Sequence, residues 1–393
     1  MPKPDPITRV GLHLCRVKMG VSYAKHNLTD ASVLVVELTI GDLTGWGEVF
    51  CPQPDVLWNW AVRVAPLLVG QDATERDALL DKFPPDRPKM RAEDCSVYCH
   101  PDVDPVAEAY SIALHDAVSR RRGISFGALL GSVQRRIIPG MPVITLGAPE
   151  EMAAAAQAWS AAGIRFLKIK LHGEATRDCA IVEAVRAAAG DTISLQVDAN
   201  GAYSDLASAL PLIAMLNRHH IDVVEDLFDV GNLELCRSAR QRLDGRYMVD
   251  KDAHWPHVEN VIAAGAADLI NQHPHNQGRM SYALNIAESA RRAGIETAIG
   301  SSGILGVQSA AFQHLASVIG LSRPCEDIGM MSYYDGPVGN RYNFTQRPTI
   351  LREPVRLTAG TLQISSAPGL GIEVDRDALD RLTLRQMACD GVS

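Results

Sequence analysis

The chain has 393 residues, 47% hydrophobic and 21% charged, with a net charge of −8; it exceeds the roughly 250 residues of one barrel and suits a large domain with a smaller companion. With no long basic cluster and no apolar run of membrane-spanning length, neither nucleic acid nor membrane is an expected partner. The amino terminus, MPKPDPITRV, has no apolar signal core, which makes the cytoplasm the expected location.

Residues 9–50 alternate apolar and polar side chains in RVGLHLCRV and SVLVVELTI, and a GDLTG turn precedes WGEVF. That is the pattern of an antiparallel meander. The stretch between the first two strands, MGVSYAKHNLTD (19–30), is polar and long for a hairpin connection, and reads as a functional loop. Helical spacing follows over 56–83 and, most clearly, over 105–123, on either side of a Pro-rich charged loop at 84–104. Residues 1–135 are therefore expected to form an α+β domain.

From Met141 short apolar runs alternate with helices. PVITLG, FLKIK, SLQVDAN, DVVEDL, YMVD, DLINQ and ETAIG read as strands ending near residues 146, 170, 198, 225, 250, 272 and 300, with an eighth ending near Ile328. Steps of roughly 22–28 residues predict a (β/α)8 barrel, or its (β/α)7β variant, over residues 136–354. An open doubly wound sheet would carry a glycine-rich phosphate fingerprint after its first strand, and TLGAPEE is not one. Residues 355–393 return to alternation around PGLG and are expected to pack back on the first domain, completing it.

In a barrel, the carboxyl ends of the strands converge on one face, where active sites form. Within IRFLKIKLHG (164–173), strand geometry puts Lys168 and Lys170 on the same side. Two adjacent lysines need anionic partners if they are to be buried. Asp198, Glu225 and Asp250 supply them from the ends of the next three strands, with Asn200 and His273 at similar positions. Three carboxylates and water make an oxygen-only set, which suits Mg²⁺ better than zinc. A strand-end aspartate also caps helices, and DANG is a good turn; what singles out these acids is their register with two lysines. Eight cysteines are scattered through the chain, and the only close set is Cys95, Cys99 and His100. With no second ligand pair at a zinc-like spacing, they read as reduced thiols.

The order K-x-K (168–170), V-D-A-N (197–200), V-E-D (224–226), V-D (249–250), then a basic residue after the sixth strand, resembles the enolase superfamily in its mandelate racemase and muconate lactonizing branch. The likeness covers nearly the whole chain. GWGEVF (45–50) resembles a strand of the family's capping domain, AYSIALHDA (109–117) its helix leading to the barrel, and PGLGIEVD (368–375) its closing segment. The resemblance implies Mg²⁺ held by Asp198, Glu225 and Asp250, a small-molecule carboxylate substrate, and Lys170 as the base that removes the α-proton to give an enolate. Lys168 is implied to lower the pKa of Lys170 or to touch the substrate carboxylate. The physics agrees. A metal stabilises the developing dianion by several kcal/mol, and a lysine beside another cation becomes a usable base near neutrality.

The chain also departs from that pattern. The muconate lactonizing side places a lysine after strand six, where this chain has His273 in INQHPHNQG. The racemase side uses a histidine after strand seven backed by an aspartate after strand six, and AIGSSGILG has no histidine. His273 is thus the candidate acid or base opposite Lys170, or a substrate hydrogen-bond partner. Lys251 follows Asp250, where an acidic residue is common, and reads as a substrate contact or a surface lysine. In the family the loop of the first domain closes over the barrel, so Tyr23, Lys25 and His26 become candidate substrate contacts with Asn200.

Four readings follow. Dehydration of a polar hydroxy acid such as an acid sugar comes first, racemisation or epimerisation at the α-carbon second, and cycloisomerisation third. The fourth is an idle barrel kept for binding, against which the intact lysines and carboxylates count. A closed symmetric homo-oligomer is the usual expectation for such a chain.

Overall fold

The computed structural model describes residues 5–23, 26–89, 100–229, 231–250, 252–273, 276–300, 304–321, 323–326, 349–354 and 357–391. The chain opens with the antiparallel strands β1 (Ile7–Tyr23), β2 (His26–Ile40) and β3 (Leu43–Phe50). Contrary to the expected loop at 19–30, β1 and β2 stay paired out to Tyr23 opposite His26, past a register shift between Lys18 and Val21. Cross-strand backbone bonds need no apolar side chains, so a polar sequence can still complete a hairpin.

Instead of one helical stretch over 56–83, two short helices follow, α1 (Pro54–Val64) and α2 (Arg76–Leu80). The long helix α3 (Pro105–Arg121) starts where Asp104 Oδ1 accepts the N–H groups of Val106 (3.0 Å) and Ala107 (3.1 Å), with Pro105 at its first position. It lies directly on β3: a Cβ on Gly45 or Gly47 would strike the carbonyls of Ala113 or Ala109. The glycines of GWGE are therefore there for close approach. Helix α4 (Phe126–Leu130) and β4 (Ile137–Pro139) lead out of this part.

Strands and helices then alternate: β5 (Val143–Ile144), α5 (Pro149–Ala161), β6 (Phe166–Lys170), α6 (Ala175–Ala189), β7 (Ser194–Asp198), α7 (Leu206–Arg218), β8 (Val223–Glu225), α8 (Leu233–Arg240), β9 (Arg246–Val249), α9 (Val258–Ala263), β10 (Leu269–Gln272), α10 (Met280–Arg292), β11 (Glu296–Ile299) and α11 (Val307–Val318). The strands form one parallel sheet in the order β11-β10-β9-β8-β7-β6-β5. Its edges are joined through Cys325 and Glu326. Cys325 N–H donates to Pro139 O at 2.9 Å, Met141 N–H to Cys325 O at 3.0 Å, and Glu326 N–H to Ile299 O at 2.9 Å. This is the expected (β/α)8-type barrel, with residues 325–326 in the eighth position; Ile328 lies outside the described residues. Inside it, Val223, Met248, Leu269 and Ala298 form a separate buried apolar cluster, the floor on which the polar residues of the mouth rest.

After the barrel, β12 (Leu357–Thr358) pairs with β13 (Thr361–Gln363), and β13 pairs with β4. Helix α12 (Arg376–Leu382) leads to β14 (Thr383–Asp390), which pairs antiparallel with β1, so the last strand joins the first sheet. Two buried acids of the first part reach the barrel. Glu48 accepts N–H bonds from Ile304, Leu305, Val307 and Gln308 at 2.6–3.2 Å, and Glu108 accepts them from Gln277 and Gly278 at 3.0 and 2.9 Å. Among the described residues no helix is long and apolar enough to cross a membrane.

Candidate active site

Register assembles the site. Lys170 pairs with Asp198, and Asp198 with Glu225, so three successive strands place these side chains in one row at the mouth. One step further round, Glu225 pairs with Met248, which puts Asp250, two residues on, on the same face one level higher. The short strands are buried on both faces, and Lys168, Asp198 and Glu225 are all at most 1% exposed.

Lys168 carries the densest contacts. Its Nζ lies 2.9 Å from Asp198 Oδ2, 2.8 Å from Glu225 Oε2 and 2.5 Å from Glu326 Oε1. Lys170 Nζ donates to Asp198 Oδ2 at 2.5 Å. Neutral amides complete the set. Gln196 donates to Glu225 Oε2, and Asn271 Nδ2 reaches Glu225 Oε1 at 3.1 Å and Glu326 Oε2 at 3.3 Å. Asp226, in the left-handed region (φ 38°), turns its carboxylate back to accept the N–H of Asp250 at 3.1 Å.

The charges sort themselves accordingly. Burial works against the charge on Lys168, but the carboxylates of Asp198, Glu225 and Glu326 overcome it and lift its pKa well above the usual lysine range. Burial likewise opposes ionisation of Asp198, yet Lys168 and Lys170 hold it below the ordinary carboxylate range. Glu225 goes the other way, pushed up to about 8 by burial and by Asp198. Asp250 is also raised, by burial and then by Glu225 and Asp226. Asp198, Glu225 and Glu326 thus crowd around Lys168, with Lys170 against Asp198 and with Asp226 and Asp250 beside them.

Residues 151–378 match the family model described as enolase C-terminal domain-like, over more than half of the chain. The chain belongs to that family. Within the enolase superfamily it stands in the mandelate racemase and muconate lactonizing branch, and it is an enzyme of that superfamily. It is 24% identical over 401 residues to N-succinyl-L-Arg/Lys racemase of Bacillus cereus, covering 97% of this chain and 98% of the relative. The solved structure of the Bacillus cereus N-succinyl Arg/Lys racemase superposes with a TM-score of 0.84 at 22% identity, covering 98% of this chain and 100% of that one. The dipeptide epimerase of Cytophaga hutchinsonii, complexed with Mg and a dipeptide, gives 0.82 at 21% identity, with 98% and 99% covered. L-Talarate/galactarate dehydratase of Salmonella typhimurium LT2 gives 0.82 at 20%, with 99% and 94% covered.

The enolase-type donor set fits a hard divalent cation by the chemistry of its atoms. Asp198, Glu225 and Asp250 offer only oxygen, and among the described residues Asp250 Oδ1 is buried with no hydrogen-bond partner. In this arrangement the Lys168 ammonium spans the space between the acids, and no group of three His, Cys, Asp or Glu among the described residues converges on a point as metal ligands.

Of the residues singled out from the sequence, Lys168, Lys170, Asp198, Glu225 and Asp250 are brought together. Asn200 (φ 48°) is tied to Asp198, its N–H donating to Oδ1 at 2.7 Å and its Nδ2 to Oδ2 at 3.2 Å. DANG is thus the turn its sequence suggested, with Asp198 bonded to it at the strand end. His273 follows β10 directly, its ring beside Gly300. Tyr23 and His26 close the β1–β2 hairpin, where only their backbone is described, and Lys25 and Lys251 lie outside the described residues. Cys95 and Cys99 do too, while His100 stacks on His254 with ring centroids 3.8 Å apart.

Sequence reasoning missed Glu326, Gln196 and Asn271. The signal for all three was parity. Gln196 and Asn271 sit two residues before the singled-out Asp198 and His273, on strands buried on both faces, and Glu326 sits two before the expected end of the eighth strand, so a polar side chain at each needs a buried polar partner.

Proposed function

We propose that the enzyme abstracts the α-proton of a small carboxylate substrate to form an enolate, and that it returns a proton at the same carbon, as a racemase or epimerase. One observation carries this reading: Lys170 ends the second barrel strand and His273 follows the sixth, four positions apart in an eight-position ring, with Asp198, Glu225 and Asp250 on the three strands between. Two proton-transfer groups therefore stand across the mouth from each other, with the carboxylates to one side of the line joining them. Asp198, Glu225 and Asp250 would hold Mg²⁺, which when bound supplies a Lewis acid for the substrate carboxylate and stabilises the developing charge by several kcal/mol. Lys170 takes the proton from one face and His273 delivers one to the other, each step contributing about 10²–10⁴ in rate. The relatedness to an N-succinylamino acid racemase supports an α-substituted acid, such as an N-acylated amino acid or a dipeptide.

Dehydration of a polar hydroxy acid, the first expectation from sequence, remains the second reading. The observation in its favour is the identity of residue 273: an imidazole donates a proton to departing hydroxide more readily than the ammonium of a lysine does. Incubating the Mg²⁺-supplemented enzyme with a library of N-acyl amino acids, dipeptides and acid sugars in D₂O separates the two. Deuterium at the α-carbon of both epimers with the skeleton retained is the expected result. A 2-keto product moves the assignment to dehydration, and neither outcome across the library removes both.

A further inference from the structure

Gly300, just after β11, has a backbone outside the left-handed region, so no local turn demands a glycine there. Its missing side chain serves space instead. A Cβ at position 300 would lie 2.9 Å from His273 Cδ2, closer than packed carbon atoms come, and 3.1 and 3.2 Å from Asn271 Nδ2 and Oδ1, a tight approach in its own right. Register explains the crowding. Asn271 pairs with Ala298 and Gln272 with Ile299, and the N–H of Gly300 donates to Gln272 O at 3.1 Å. Residues 271, 273, 298 and 300 therefore share one face, and the His273 ring occupies the space a side chain on its neighbour would take. The Asn271 amide is equally committed, since it bridges Glu225 and Glu326.

We propose that Gly300 is a positioning residue of the site: the room it leaves lets the His273 imidazole lean over the end of β11 and lets the Asn271 amide hold two of the site's carboxylates. The catalytic consequence rests on the racemase or epimerase reading above, because the clearance then decides whether the His273 face of the α-carbon is served. Position 300 selects between one-sided and two-sided proton transfer.

The test compares Gly300→Ala, His273→Ala and the double variant. Histidine-labelled NMR, with the His273 signal assigned from His273→Ala, reads the ring's environment without any substrate. In Gly300→Ala that signal and its titration midpoint shift. Thermal unfolding forms a double-mutant cycle in which adding the alanine at 300 costs less in the His273→Ala background than in the native one. Where the wild type exchanges α-protons in D₂O, exchange from the epimer served by His273 falls about 10–100-fold in Gly300→Ala, whereas exchange served by Lys170 stays within about threefold. An unmoved His273 signal with additive stabilities overturns the proposal. So does a Gly300→Ala chain that fails to fold and is not rescued when the ring is also truncated. If the wild type exchanges no substrate, the enolate reading fails, and the NMR and stability measurements still decide whether Gly300 makes room for His273.

Discussion

Lys168 shows how a single side chain can look like a catalyst and serve as a counter-ion. Its position two residues before Lys170 marks it as part of the mouth, but three carboxylates within 2.5–2.9 Å keep it protonated. An ammonium held in this way is a poor proton acceptor, which is why the proposed reaction assigns the base to Lys170 rather than to Lys168. Removing one partner from such a buried cluster strands the others, at a cost of about 3–5 kcal/mol. Lys168→Met should accordingly lower the stability of the metal-free protein by about that amount, measured by urea denaturation, with excess Mg²⁺ restoring more stability to the variant than to the wild type. An unchanged denaturation midpoint would show that the three acids do not depend on this cation.

At the scale of elements, α3, α4 and α11 meet around Phe126, whose ring lies 5.8 Å from those of both His115 and His314. Burial holds both imidazoles at about 4, well below the usual histidine value of 6.5. Their bonds agree with neutral rings: His314 Nδ1 accepts the N–H of Gly127 at 3.3 Å while Nε2 lies 3.1 Å from Leu370 O, and His115 Nδ1 lies 2.7 Å from Ser111 O. The folded protein thus binds protons more weakly here than the unfolded chain does. This stability is fully present above pH 6.5 and lost as pH falls toward about 4, roughly 3 kcal/mol for each ring. A denaturation series from pH 7 to pH 4 should show that fall, and His314→Gln should flatten it; a flat wild-type series would mean that the rings titrate normally. The strand ends of the barrel were legible because parallel strands buried on both faces are short unbroken apolar runs closed by polar residues. The hairpin at 19–30 was not, because backbone pairing leaves no mark in a polar sequence.

For the whole molecule, the contact that matters is between the first sheet and the barrel. Glu48 in GWGE, buried with no cationic partner among the described residues, accepts four N–H bonds at the start of α11, just beyond Gly300. Burial raises its pKa, with those four bonds working against the rise. The chain's two ends are also tied together, β14 lying beside β1. Glu48→Ala leaves the amino end of α11 without its acceptor and should lower stability by roughly 1.5–3 kcal/mol. Because α11 follows the seventh barrel strand, α-proton exchange should fall as well, while metal affinity, read by calorimetry, stays near wild type. Equal losses in metal affinity and exchange would instead indicate general loosening of the barrel.

By itself the sequence determined the alternation of strands and helices and the strand-end places of Lys168, Lys170, Asp198, Glu225 and Asp250, because period-two geometry and the commonest loop lengths leave a barrel few other ways to lie. Only the tertiary structure decided which charges touch. Glu326 reaches Lys168 through ring closure, 158 positions away along the chain, and Gly300 gains its meaning from a ring just past the end of the neighbouring strand. Both depend on distances between segments far apart in the chain, which no local pattern of residues encodes.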